Sequence, residues 1–512
     1  MPTATRYANW KAPAADGQVV LWPEPPDLLA QSRDNHRQLA AADDVRVQNA
    51  PLPELRRQMR QWIGHRDDEQ LLVATGHQTE LYHPGVWAKH AAVNAIAAPL
   101  GAAAYFVAVD TDSPKHLTLK WPDREAAHVG GASPVTDDPG VTSAEWSGQL
   151  ELPTPKHLEV VREDLTAAAG GWGFEPSTEP FFSTLRRLQL DPVPLSAGIT
   201  NAMHAVDWSL GLRHHALLAS PMFDAPPYLA LVYHVCARAE RFAADYNAAL
   251  AEYRREAEIT NPGRPMPDLK ATDAACEVPF WLDELATGGR ERATVVRVDG
   301  RWTIVRADDA FAFDPSLDGF EAAGRLAAWL RRGGRRLSPR ALTLTMFLRL
   351  LLCDQFVHGI GGGRYDQVLD KLLARHFALD PPRFSVTTAT LFFPHAATAS
   401  RACVPCTVHE GHQLRHRVLG ERKMQLVSAI DAAPRRSNQR ARLFAEMHNE
   451  LAGHARHPAL LDWERRLADT RAEEERQRVI FDRELFYALQ PADRLTQLVD
   501  RYAAAFGGGV RR

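Results

Sequence analysis

A chain of 512 residues is too long for one compact core, so two or three domains are expected. Its hydrophobic fraction of 45% and charged fraction of 24% are ordinary for a globular protein in water. Lys and Arg number 60 against 63 Asp and Glu, a formal charge of −3, which excludes the global positive field that would hold nucleic acid or an anionic membrane.

The opening stretch MPTATRYANWKAPAADGQ lacks the charged-then-apolar pattern of a signal peptide. Residues 1–65 read as an irregular Pro- and Ala-rich arm with one helix near LPELRRQMRQWIGH. EQLLVATGHQ then reads as a buried strand from Leu71 to Ala74 that runs into a Thr-Gly turn. PGVWAKHAAVNAIAAPLG reads as a helix, with Pro84 in its first turn and Gly101 just past its end. AAAYFVAVDTD is a second buried strand. Strand, helix and strand at this spacing predict a parallel sheet, whose ligands sit beyond the carboxyl ends of the strands, here TGHQ and VDTDSPKH.

Further on, PPYLALVYHVCARAERFAADYNAALAEYRRE predicts one long helix, and the Asp299-Gly300 pair between alternating runs predicts a β-hairpin. SPRALTLTMFLRLLL predicts a helix capped by Ser338 with Pro339 at its first position. DQFVHGIGGG and RYDQVLDKLLARHF read as an apolar segment, a glycine turn and a helix, and RFSVTTATLFF as another strand. The α/β core thus spans 66–407. Residues 408–490 are helical and strongly charged, with Leu443, Met447 and Leu451, then Trp463 and Leu467, at four-residue intervals. That pattern predicts a projecting helical hairpin or short coiled coil, bent at Pro434 and Pro458, and 491–512 should form a loose tail. The longest apolar run is broken by Arg349 and Asp354, so no membrane span is expected and the protein should be cytoplasmic. Five cysteines do not make a disulfide framework in so long a chain.

Four stretches carry candidate chemistry. TGHQTELYHPGVWAKH gathers His77, Gln78, His83, Lys89 and His90 at a sheet edge, a density that favours a binding site over satisfied core histidines. His83 and His90 are two helical turns apart, too far to share an ion. Asp110 and Asp112 end the next strand on one side of it, either as a base or amine anchor or as an Asx turn or helix cap with Ser113-Pro114. His358 precedes a run in which Gly361, Gly362 and Gly363 lead to Arg364. The run is neither a dinucleotide fingerprint nor a P-loop. It makes either a closely packed turn or an anion site at a helix N-terminus. Cys403, Cys406, His409 and His412 recur every three residues, without the separation between ligand pairs that zinc sites show, so no metal is expected and ordinary packing is favoured over a reactive thiol pair.

Two of these segments together resemble the cysteine-adding enzymes of bacillithiol biosynthesis. Thr75, Gly76, Gln78, Leu81 and His90 fall in register with that family's TGQQ turn and the helix after it. VDTDSP stands where the family has an acidic cluster, and HGIGGGRYDQVLDKL where it has a glycine loop and helix. The departures are His77 for Gln, Glu80 for Gly, Lys89 before rather than after His90, and GGR for PGE, which trades a carboxylate for a guanidinium. The resemblance covers roughly residues 66–400. It implies a Rossmann-like core similar to nucleotidyltransferase cores, and a coiled coil pairing two subunits through residues 408–490. The implied reaction joins cysteine to the amine of a glucosaminyl-malate-like acceptor, with a nucleotide (ATP or ADP) as the candidate cofactor. His77 and His90 would transfer protons, with Asp110 or Asp112 holding the amine. Thr75, Gly76, Gln78, His83, Lys89 and His358 would line the pocket, and Gly361 to Gly363 with Arg364 would hold an anion. The alternatives are a nucleotide-binding transferase of the same fold and a non-catalytic dimeric scaffold.

Overall fold

Leu72–Gln78 and Ala103–Val109 are apolar runs that can be covered on both faces, and they pair in parallel as the strand–helix–strand spacing predicts. The computed structural model describes residues 10–114, 116–137, 146–190, 193–261, 263–306, 309–454 and 457–508, and the chain is mixed α/β. Six strands form the main sheet in the order Val19–Trp22, Ser385–Ala389, Gln355–His358, Leu72–Gln78, Ala103–Val109, His215–Leu218. All neighbours are parallel except Val19–Trp22, which runs antiparallel at one edge. From the central strand Leu72–Gln78 the chain builds outward to Ala103–Val109 and His215–Leu218, and its later strands fill the other side. The strand order therefore reverses between Leu72–Gln78 and Gln355–His358, and their carboxyl ends lie side by side.

The helix Pro84–Leu100 follows the central strand as expected, opened by Pro84 and closed by Gly101, whose φ of 60° suits glycine. The described part of the N-terminal segment is no arm. Val19–Trp22 joins the sheet, and helices Pro25–Ala40 and Leu52–Trp62 bury Leu28, Leu39, Leu55 and Met59. A four-residue strand between prolines leaves too little periodicity to be read. The expected long helix is two, Pro226–Ala237 and Ala239–Glu256, broken where Arg238 takes φ −121°. The Asp299-Gly300 hairpin forms, with φ of 48° and 76°, within a second, five-stranded antiparallel sheet. Ser338 and Pro339 belong to a strand of that sheet, Arg335–Pro339, instead of capping a helix. The Ser338 hydroxyl is taken by the buried Asp283 carboxylate, so the next helix starts only at Ala341. The helix Ala492–Ala505 buries Leu495, Leu498 and Tyr502, so this stretch is packed and not a loose tail.

Both sheets belong to one of two compact units, formed by Met1–Lys120, Ala132–Leu391 and Arg483–Arg512. The other takes Trp121–Gly131 and Phe392–Asp482. In it the helical stretch Val404–Ala432, broken at Gly420 where φ is 54°, packs against both Asn438–His454 and Pro458–Gln477, so the described residues form more than the hairpin expected. Trp463 and Leu467 are buried in this packing, and Trp463 Nε1 donates to the Thr407 carbonyl at 2.7 Å. No described helix is long and apolar enough to cross a membrane.

Candidate functional site

The reversal of strand order makes a crevice beyond the carboxyl ends of Leu72–Gln78 and Gln355–His358 the place to look for a ligand. Here the chain leaves the central strand through His77 and Gln78 and enters the helix at Pro84. His77 Nδ1 lies 3.2 Å from the Gln78 carbonyl and 3.3 Å from Glu80 Oε1. Two acceptors at one nitrogen make Nδ1 the protonated one and leave Nε2 as the base. Burial, with the charge of Lys89 next, pushes His77 well below the usual histidine range, so it is neutral at pH 7.

Lys89, on the first turns of that helix, reaches back so that Nζ donates to the Gly76 carbonyl at 2.7 Å. Its side chain is buried, which lowers its pKa to about 7 against the opposing pull of Glu80. An amine, an imidazole and a carboxylate thus converge within one turn of chain. Tyr82 covers them: its hydroxyl donates to the Gln78 carbonyl at 2.9 Å and its ring meets His77 edge-on. On the neighbouring strand end, Asp112 Oδ2 accepts from Gln78 Nε2 at 2.7 Å. Asp110 is engaged by Ser220, through the backbone N–H at 2.8 Å and the hydroxyl at 2.5 Å. Burial raises the pKa of Asp110 despite these bonds. Of the two acids, Asp110 therefore caps the turn Ser220–Asp224, and Asp112 lies with Gln78 at the edge.

The other residues divide. Thr75 is buried and its hydroxyl donates to the Val357 carbonyl, which joins the two central strands. His83 caps the helix, Nδ1 accepting from the Gly85 N–H at 3.1 Å, and burial with Arg483 and His116 lowers it to about 4. His358 Nε2 lies 2.7 Å from Asp366, which also binds Arg349, so this histidine belongs to a buried hydrogen-bonded network at the end of its strand. The glycine run forms the first turn of the helix Ile360–His376 instead of a separate loop. A Cβ on Gly363 would meet Val386 at 2.5 Å, and one on Gly362 would meet the His358 ring at 2.6 Å, so these two serve packing. Gly359 and Gly361 face open space. Arg364 donates to the Trp10 carbonyl at 2.7 Å and so ties the helix to the N-terminal segment.

His90 faces inward. Its Nδ1 is 2.7 Å from Asp207 Oδ2, and His214 Nε2 is 3.4 Å from the same oxygen. These three buried groups lie within 4.8 Å of one another, a spacing that could hold a metal ion. The hydrogen bonds fill the positions with protons instead. Asn94 Oδ1 accepts from the Arg213 N–H and its Nδ2 donates to the His90 carbonyl, so Nδ2 also faces His214 Nδ1, at 3.0 Å. That nitrogen must then be the acceptor, which leaves the proton on Nε2, toward Asp207. Trp87 Nε1 donates to Asp207 Oδ1 at 2.6 Å, and the Tyr487 hydroxyl does so at 3.4 Å. Burial would raise the Asp207 carboxyl, but His90 and His214 outweigh it and hold it below the usual range. His90 Nε2 is left buried without a partner.

Sequence reasoning missed Glu80, Tyr82, Ser220, Asp207 and His214. Glu80 and Tyr82 lie in the same short stretch as His77, three and five residues after it, whereas Ser220, Asp207 and His214 come from distant elements. A cleft of about 1340 Å3 lies elsewhere, at the amino ends of Ala103–Val109 and His215–Leu218, and includes none of the predicted site residues. Its lining carries ionisable groups of its own, His65, Asp67, His204, Arg213 and His215 among them. Among known proteins, no family model and no curated protein matches the chain.

Proposed function

We propose that the chain is a carbon–nitrogen ligase of the bacillithiol-synthesis cysteine-adding type, with a Rossmann-like core and a helical unit that pairs two subunits in the cytoplasm as a coiled coil. One observation carries the catalytic reading: a buried lysine, a carboxylate-bound imidazole and a Gln78–Asp112 pair lie at the carboxyl end of Leu72–Gln78, one of the two strands that flank the reversal of strand order. Forming an amide requires an amine without its proton, an activated carboxyl group and support for the oxyanion. His77 Nε2 takes the proton from the acceptor amine, with Glu80 and the Gln78 carbonyl holding the ring. Lys89 carries an amine balanced near neutral pH, which suits it to proton transfer and to stabilising the oxyanion when charged. Asp112 orients the acceptor's ammonium group. A nucleotide such as ATP would activate the carboxyl group of cysteine by phosphoryl or nucleotidyl transfer, with phosphate or nucleoside monophosphate leaving as the amide forms, and the N-termini of the helices at Pro84 and Ile360 favour its negative charge.

The test is to incubate the full chain with cysteine and glucosaminyl malate, with and without ATP, and to search for the amide by mass spectrometry. Nucleotide-dependent product is expected. Absence of product with every nucleotide tried would overturn the ligase reading. The helix N-termini alone also fit nucleotidyl transfer, which pyrophosphate release without amide would identify.

A further inference from the structure

Three of the five cysteines, Cys236, Cys276 and Cys353, are buried, and burial raises the pKa of each. The other two differ. Cys403 and Cys406 are exposed on the smaller, helical unit and bonded to each other. The ordinary packing expected of them is not what the structure shows. Cys403 is the N-cap of the helix Val404–Ala432, and Cys406 lies in its first turn. The Cys406 N–H donates to Cys403 Sγ at 3.3 Å.

A bond between residues three apart closes a very short loop. It removes little freedom from the unfolded chain, so it contributes little as a staple. The same arrangement is well made for exchange. A reduced Cys403 would have its thiolate at the positive end of the helix with an amide N–H already aimed at it. Its partner sulfur is within bonding reach, and both are open to solvent. His409 and His412 do not join the pair in a ligand cluster among the described residues.

We propose that Cys403 and Cys406 form a thiol–disulfide exchange centre whose co-reactant is a low-molecular-weight thiol or its disulfide. In the oxidising direction the Cys403 thiolate attacks a disulfide RSSR. One RS⁻ leaves and a mixed disulfide forms on Cys403. Cys406, having lost its proton, attacks the Cys403 sulfur, the second RS⁻ leaves, and the Cys403–Cys406 bond closes. The protein loses two electrons, RSSR gains two and becomes two RSH, and the two thiol protons pass to them. The reverse steps reduce the pair at the expense of two RSH.

The test equilibrates the native full chain in glutathione buffers from fully oxidised to fully reduced, traps free thiols with a maleimide, and reads the intact mass. No label is expected at the oxidised end and two at the reduced end, acquired together, since the other cysteines are buried. Cys406→Ser should accumulate one glutathione on Cys403, and Cys403→Ser should accumulate less on Cys406. Labels that appear only after denaturation would make the bond structural and overturn the proposal. So would two labels at every ratio, or one zinc per chain that is lost in Cys403→Ser.

Discussion

Lys89 is held in a place that does not suit a charge. Burial lowers its pKa from 10.5 to about 7. Between these values the unfolded chain binds the proton and the folded chain does not, so stability rises with pH across that window. Below about pH 7 both states are protonated and the full cost of burying the charge is present. Lys89→Met keeps the length of the side chain without the charge. It should raise the unfolding free energy at pH 6 by about 1–3 kcal/mol after loss of the bond to Gly76, with a smaller gain at pH 9. Urea unfolding at the two pH values checks this. A variant less stable at pH 6 would show that the ammonium is well accommodated, and the argument for a near-neutral amine would fail. Legibility at this scale was uneven. His77, Gln78 and Lys89 could be singled out because they crowd one short stretch. The role of His90 could not, because Asp207 and His214 lie more than a hundred residues away in sequence and only folding brings them together.

The glycine-opened helix shows why an element can be recognised while its purpose is misjudged. A helix after an apolar strand was legible from the periodicity of RYDQVLDKLLARHF, yet the glycines before it read equally well as a loop. Sequence cannot show which faces are occupied. Gly363 lies against Val386, whereas Gly361 has nothing within 4 Å. Gly363→Ala should therefore cost about 1–3 kcal/mol through overpacking. Gly361→Ala should stabilise the helix by up to about 1 kcal/mol. Thermal unfolding of the pair checks the contrast, and equal effects would contradict it. If Gly361 faces the ligand, its alanine variant should also bind nucleotide more weakly than wild type while being the more stable protein. Ser338 teaches the same lesson. Its position before Pro339 is a good cap pattern, but a buried carboxylate on the neighbouring strand took the hydroxyl.

Across the larger unit, one carboxylate ties the N-terminal helices to the sheet. Asp354 stands just before the strand Gln355–His358. It accepts from Arg56 and Arg60 at 2.8 Å, from the Leu72 N–H at 2.8 Å, and lies 3.2 Å from His36. Both N-terminal helices and the start of the central strand meet there with a carboxylate 282 residues beyond Leu72, which explains why residues before 65 looked like an arm when read alone. Burial opposes ionisation of Asp354, but the bond to His36 and the charges of Arg60 and Arg56 outweigh it and bring its pKa down to about 2. Its contribution is complete above the ordinary carboxyl pKa near 4 and is lost as pH falls through about 2. Asp354→Ala would leave two buried guanidinium groups without their carboxylate and should cost about 3–5 kcal/mol in urea unfolding at pH 7. A loss below about 1 kcal/mol would mean that the N-terminal helices are held by apolar packing alone. Of the parallel core, Leu72–Gln78, Ala103–Val109 and Ser385–Ala389 were legible from their apolar and β-branched runs, whereas the four-residue strand His215–Leu218 was not. The second sheet was legible only at its Asp-Gly turn, since its remaining pairings depend on partners up to about sixty residues away.

The central claim is that proton transfer for amide formation occurs at the strand-order reversal around Lys89. The measurement that tests it most directly is the rate of amide formation from cysteine and glucosaminyl malate by Lys89→Met beside the wild type, with folding of both verified by circular dichroism. The account predicts a wild-type rate that rises from pH 6 to pH 8 and a variant rate lower by on the order of 10²–10⁴-fold. A folded Lys89→Met that forms the amide at the wild-type rate would contradict it.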